Sequence, residues 1–301
     1  MAAITSEQVM TLRAQTGAGM MACKGALTET GGDIAKAVDL LRKKGLAGLA
    51  KRAGCAMKEG VVAAKTSADG KTVSLLEINC ETDFVAKNPD VVGFASTLAA
   101  DMLSDASMAN PAENEKAKER LQALAMKMGE NMQIRRGVVY TAGANTVSNF
   151  YVHSDSRKGA IVELSFDGDV AAAKPELENL ARELGMQSVA MSPKFLRREE
   201  VAADVVAKER EIYKAKMEQD EAAAKALSAE TGKPYKPKAP EVIEKMLEGR
   251  VGKFFQESCL LEQASIRDSK LSVSQAVKNL GAKLGGNVSV TRFSCFLVGI
   301  E

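Results

Sequence analysis

There is no tryptophan in this 301-residue chain, one histidine, and an aromatic content of only 4%. Any imidazole-based general acid or base would have to be His153. The five cysteines, Cys23, Cys55, Cys80, Cys259 and Cys295, are odd in number and never spaced C-x-x-C. That argues against a disulfide framework and, with so little histidine, against a zinc site; buried or idle thiols are expected. Neither sign of charge prevails. Lys and Arg total 41 against 39 Asp and Glu, and a formal charge of +2 supplies no global field for nucleic acid. Although 46% of the residues are apolar, charges interrupt every window, so nothing reads as a membrane span. The opening MAAITSEQVM has neither the blocks of a secretory signal nor an Arg-rich transit pattern. A cytoplasmic protein without metal or cofactor is the expectation.

Catalytic motifs are missing as well. TGAGMMACKG (16–25) resembles a phosphate loop only superficially, because no strand precedes it and no G-K-[ST] follows at the needed spacing. There is no G-x-S-x-G, no H-E-x-x-H, and no cysteine near a partner histidine. The chain is not expected to be an enzyme. His153 reads as a strand residue packed on its neighbours, with a catalytic role and a partner contact as the alternatives.

Periodicity supplies the rest. Thr5 and Gln8 fit a capping box ahead of Val9 and Leu12. Met20, Cys23 and Leu27 mark a second helix, and Ile34, Val38 and Leu41 a third that stops near Gly45. KRAGCAMKEG (51–60) then serves as a linker. Asp69-Gly70 between two β-rich runs predicts a hairpin, and Val73 to Cys80 is too uniformly apolar for a strand with a wet face. Asn88-Pro89 opens a helix, a second follows over 112–130, and a strand covers 133–140. Strands at 148–154 and 159–166 precede a helix over 171–191. Residues 198–230 are charged and Ala-rich with a thin seam of Val201, Val205 and Ile212; GKPYKPKAP (232–240) then turns the chain into a return helix. A final strand closes the chain.

One stretch poses a question. In NCETDFVAKN (79–88), Asp83 and Phe84 stand at a strand-to-helix turn. Local pattern alone makes Phe84 a core residue. Met20 and Met21 would fill the small helical bundle, although neighbours about 100° apart cannot both face one core. Arg13 reads as a solvated helix charge.

LRAQTGAGMMACKGAL (12–27) and NCETDFVAKN resemble the two signature stretches of the bacterial elongation factor Ts family, the exchange factors for elongation factor Tu. The similarity continues through GENMQIRR (129–136), YVHS (151–154) and KFFQESCLLEQ (253–263). The resemblance implies an α+β fold. Its parts would be a three-helix, ubiquitin-associated-like module (1–54), two α/β core subdomains with antiparallel sheets (55–141, and 142–197 with 251–301), and an inserted coiled-coil hairpin (198–250). It implies a partner, Tu in its GDP-bound and nucleotide-free forms, and a homodimer or two-Tu, two-Ts assembly is compatible with it. No direct nucleotide, nucleic acid or membrane contact is implied. Thr82, Asp83, Phe84 and Val85 would reach the Tu magnesium and nucleotide site, with Phe84 as an exposed wedge. Arg13, Met20 and Met21 would grip a neighbouring Tu helix, and His153 would add a contact. Gln15, Ala22 and Gly25 depart from the family pattern and touch that module's polar contacts. The hairpin tip is longer than in many members, and the chain ends after its last strand without the helical extension of some. Two other readings stay open: an RNA- or ribosome-associated protein drawing on KKGLAGLAKR (43–52) and QIRR (133–136), and a nucleotide-using enzyme.

Overall fold

The capping box predicted at Thr5 is present in the computed structural model, which describes residues 4–52, 54–232 and 237–300. Thr5 Oγ1 accepts the Gln8 N–H at 3.2 Å, and Gln8 Oε1 accepts the Thr5 N–H at 2.9 Å. Helix α1 (Ser6–Thr16) begins there and ends at Gly17, in the left-handed region at φ 68°. Helices α2 (Met20–Glu29) and α3 (Ile34–Lys51) follow, the latter capped by Asp33. Val9, Leu12, Cys23, Ala26, Leu27 and Ala37 form the small core. Met20 is not among them: Ala26 faces the core instead, and Met20 is 51% exposed.

The hairpin at Asp69-Gly70 joins β1 (Glu59–Thr66) to β2 (Thr72–Cys80). Gly70 has φ 70°, and Asp69 Oδ1 accepts from the Ser67 hydroxyl and the Lys71 N–H. Strand β3 (Met132–Thr141) completes an antiparallel sheet of order β1-β2-β3. The central strand is buried from Val73 to Cys80, as its composition requires. Its Leu76 and Ile78 pack with helices α5 (Pro89–Ser104) and α6 (Glu115–Met128); Val73 and Leu75 pack with Ile161, Phe296 and Val298. Asn88 and Pro89 act as N-cap and first residue of α5. The predicted stop at Gly45 does not occur, and α3 runs on to Lys51. Gly45 instead permits close approach, since a Cβ there would lie 3.1 Å from Met126 Cγ on α6.

A second three-stranded sheet has order β4-β5-β6, with β4 (Thr146–Val152), β5 (Lys158–Phe166) and β6 (Val288–Leu297). Helices α7 (Val170–Met191) and α10 (Val273–Leu284) supply Leu177, Leu184 and Val277 to a core with Leu164, Phe166 and Val288. Between them α8 (Ala203–Thr231) and α9 (Pro240–Ser258) form the helical hairpin. Its seam differs from expectation. Ile212 is 51% exposed, while Met217 and Leu247 are buried. Residues 233–236 of GKPYKPKAP lie outside the described residues.

The fold is α+β. It divides into two compact units, the chain up to Gly143 with Ser148–Ile161 and the residues from Ser294 on, and Ala144–Val147 with Val162–Phe293. No helix among the described residues is long and apolar enough to cross a membrane.

Candidate functional site

Strand β2 is buried to its last residue, yet four residues later Phe84 is 83% exposed. The change is made by a single helical turn, α4 (Asp83–Ala86), which local pattern did not separate from the helix beyond it. Thr82 caps this turn, its hydroxyl accepting the Val85 N–H at 3.4 Å. Ala86 is buried and Val85 packs on the core below, so the turn has one face inward. Phe84 takes the outward face. The core position that local pattern alone gave Phe84 is therefore overturned, and the exposed position implied by the resemblance is the one observed: four residues make one turn, and Ala86 and Val85 occupy its inner side.

Carboxylates hold the turn from below. Glu130 accepts the Thr82 N–H at 3.0 Å and its hydroxyl at 2.7 Å. Glu81, whose side chain is 5% exposed, accepts from the Arg52 guanidinium and from the Asn131 N–H. Arg52 first, and that N–H second, hold the Glu81 carboxyl down at about 2. On the outer face Lys87 Nζ lies 2.7 Å from Asp83 Oδ2 and lowers the Asp83 carboxyl below its ordinary value. Burial pushes the Cys80 thiol up to about 11, and its Sγ donates to the Thr82 carbonyl at 3.2 Å. Burial raises Cys259 and Cys295 to about 11 as well, which keeps these thiols protonated and unreactive.

Asp83 and Lys87 line a cleft of about 610 Å³ together with the turn Ser154–Arg157, and Glu59 pairs with Arg157. His153 precedes this turn. It stands one residue beyond the end of β4 instead of within the strand, and its side chain is 44% exposed. Its Nδ1 approaches Asp155 Oδ1 at 3.1 Å, off the line of a hydrogen bond, and its ring meets Tyr151 edge-on. The packed-strand expectation is met in part: the ring packs on Tyr151 of β4, but the residue itself lies in the hairpin turn.

The N-terminal residues form a second exposed group. Arg13 is exposed on α1, and Met20 and Met21 open α2 at 51% and 76% exposure. The argument from neighbouring positions requires one methionine outside the core, and the structure leaves both outside. Met21, Ala22 and Gly25 line a cleft of about 810 Å³ together with Val38 and Leu41 of α3 and Met126 of α6. Among the described residues no cluster of His, Cys, Asp and Glu could hold a metal ion.

Arg52, Glu81, Glu130 and Asn131 went unassigned in the sequence. Glu81 lies 29 positions from Arg52 and 50 from Asn131, and no local periodicity links such separations. The available signal was that Glu81 lies in NCETDFVAKN and that Glu130 and Asn131 lie in GENMQIRR.

A family model described as Elongation factor TS matches residues 81–300. A protein of Symbiobacterium thermophilum named Elongation factor Ts is 42% identical over 293 residues, covering 97% of this chain and 91% of its own. Proteins of the same name from Clostridium botulinum (strain Alaska E43) and Trichlorobacter lovleyi are 41% and 39% identical. Those alignments cover 97% and 99% of this chain, and 92% and 93% of theirs.

Proposed function

The chain belongs to the elongation factor Ts family, and from that premise we propose that it binds elongation factor Tu in the cytoplasm and accelerates release of GDP. It makes and breaks no covalent bond in doing so. Thr82, Asp83, Phe84 and Val85 form the part that enters the Tu magnesium and nucleotide site. Residues 1–54 dock beside it through Arg13, Met20 and Met21, and His153 adds a contact next to the cleft that Asp83 lines.

The observation that carries this reading is Phe84, 83% exposed on a turn whose base is held by two carboxylates. A partner that bound loaded and empty Tu equally well would not speed release. Preference for the empty form is required, and the coupling is reciprocal: the factor weakens GDP as GDP weakens the factor. Burying Phe84 gains about 1.5–3 kcal/mol, and only where Tu opens a space for it. Opening that space displaces groups that organise magnesium and phosphate, and the Asp83 carboxylate disturbs the hydrogen bonds beside them. One residue supplies a modest share, so docking by the N-terminal module is part of the mechanism.

Stopped-flow release of fluorescent GDP from Tu, with and without this chain, tests the proposal. Release accelerated in proportion to chain concentration, until saturation, is expected. A release rate that the chain does not alter would refute it.

A further inference from the structure

The groups that hold the tip also hold the end of the N-terminal helical module. Arg52 is the C-cap of α3, and its guanidinium forks onto Glu81. Nε lies 3.2 and 3.1 Å from the two carboxylate oxygens, and Nη2 lies 2.5 Å from Oε2. Asn131 ties both partners together. Its backbone N–H donates to Glu81 at 2.8 Å, and its Nδ2 donates to the Arg52 carbonyl at 2.7 Å. One residue earlier, Glu130 holds both the N–H and the hydroxyl of Thr82, the cap of α4.

A buried carboxylate that needed only a partner could take one. Both Glu81 oxygens accept from Arg52 and Oε1 accepts from Asn131 as well, so one carboxylate holds two segments far apart in the chain and Asn131 closes the triangle. The end of α3, the base of α4 and the turn between α6 and β3 are thereby one hydrogen-bonded frame. Met20 and Met21 are exposed on the module that ends in Arg52, and Phe84 is exposed on the turn that Thr82 caps.

We propose that Arg52 is a positioning residue for nucleotide release: by fixing α4 against the end of α3, it makes docking of the N-terminal module and insertion of Phe84 one coupled event. The inference rests on the two-contact reading given under Proposed function. Two contacts on a rigid frame raise each other's effective concentration, and a loosened joint gives up that gain.

The test uses the full chain and Tu loaded with fluorescent GDP. Met21→Ala and Phe84→Ala are combined in a double-mutant cycle, in the wild-type background and in Arg52→Ala, with release rates read at limiting chain concentration. Non-additivity of about five-fold is expected in the wild-type background, falling within about two-fold of additivity when Arg52 is gone. A purely structural Arg52 would lower the melting temperature and leave the coupling intact. A cycle equally coupled in both backgrounds, or already additive in the wild type, overturns the positioning role while leaving the proposed function standing. If instead Phe84→Ala releases GDP as fast as the wild type, both fall. Arg52→Lys, which keeps the charge without the planar fork, gives the same reading should Arg52→Ala fail to fold.

Discussion

Glu81 and Phe84 are three positions apart and meet opposite surroundings, one pinned beneath the tip and the other in solvent. Their substitutions should separate stability from function. Phe84→Ala removes little buried surface, so its stability should match the wild type within the roughly ±0.5 kcal/mol usual for surface changes. Glu81 contributes to stability through its pairing with Arg52 and Asn131. Its carboxyl titrates at about 2 in the folded protein against an ordinary 4.5, so the folded state favours the charged form. That contribution is complete above roughly pH 5 and is lost as pH falls through about 2. Melting temperatures from pH 2 to 7 should therefore fall more steeply in acid for the wild type than for Glu81→Gln. Parallel curves would contradict the assignment. The environment of Phe84 could not be read from its neighbours, because a one-turn helix presents too few residues to show a periodic face. Only the resemblance of NCETDFVAKN to a known signature pointed outward. Met20 and Met21 were half legible: geometry required one outside the core, and the structure leaves out both.

Whole elements were easier to read, because their signals repeat. The capping box at Thr5, the Asp69-Gly70 hairpin, the Asn88-Pro89 helix start and the buried run of β2 each follow from several residues that agree. Elements failed to be read where a long-range contact decides them. Gly45 looked like a stop and is a point of close packing against Met126; Ile212 looked like a seam residue and faces solvent. The sheet makes a sharp prediction at Gly60, where a Cβ would lie 2.2 Å from the Ile78 carbonyl oxygen. No side-chain rotation relieves a clash with backbone, so Gly60→Ala should cost about 1–3 kcal/mol in urea unfolding. The helical hairpin makes another. Met217 and Leu247 are its buried apolar residues, a thin core for two long helices. Leu247→Ala should cost about 2–5 kcal/mol locally. Hydrogen exchange would then accelerate over Ala203–Ser258 and stay unchanged in Thr72–Cys80; faster exchange in both would mean that the hairpin is not an independent unit of stability.

Taken as one molecule, the chain keeps Phe84, Met20 and Met21 in its first compact unit, and the hairpin in its second. The proposed reading therefore places nucleotide release on residues of the first unit. Reciprocity adds a test at this level: raising GDP should weaken binding of the chain to Tu by the same factor by which the chain weakens GDP. Binding of the chain that saturating GDP leaves unchanged would contradict the proposed exchange role. The decisive comparison is the saturating rate of fluorescent GDP release from Tu driven by wild-type chain and by Phe84→Ala at matched melting temperature. With Phe84 as the wedge, losing about 1.5–3 kcal/mol of differential burial slows that rate by roughly ten- to a hundred-fold. An unchanged saturating rate would contradict the account, because the one large apolar side chain raised on the tip would then take no part in opening the nucleotide site.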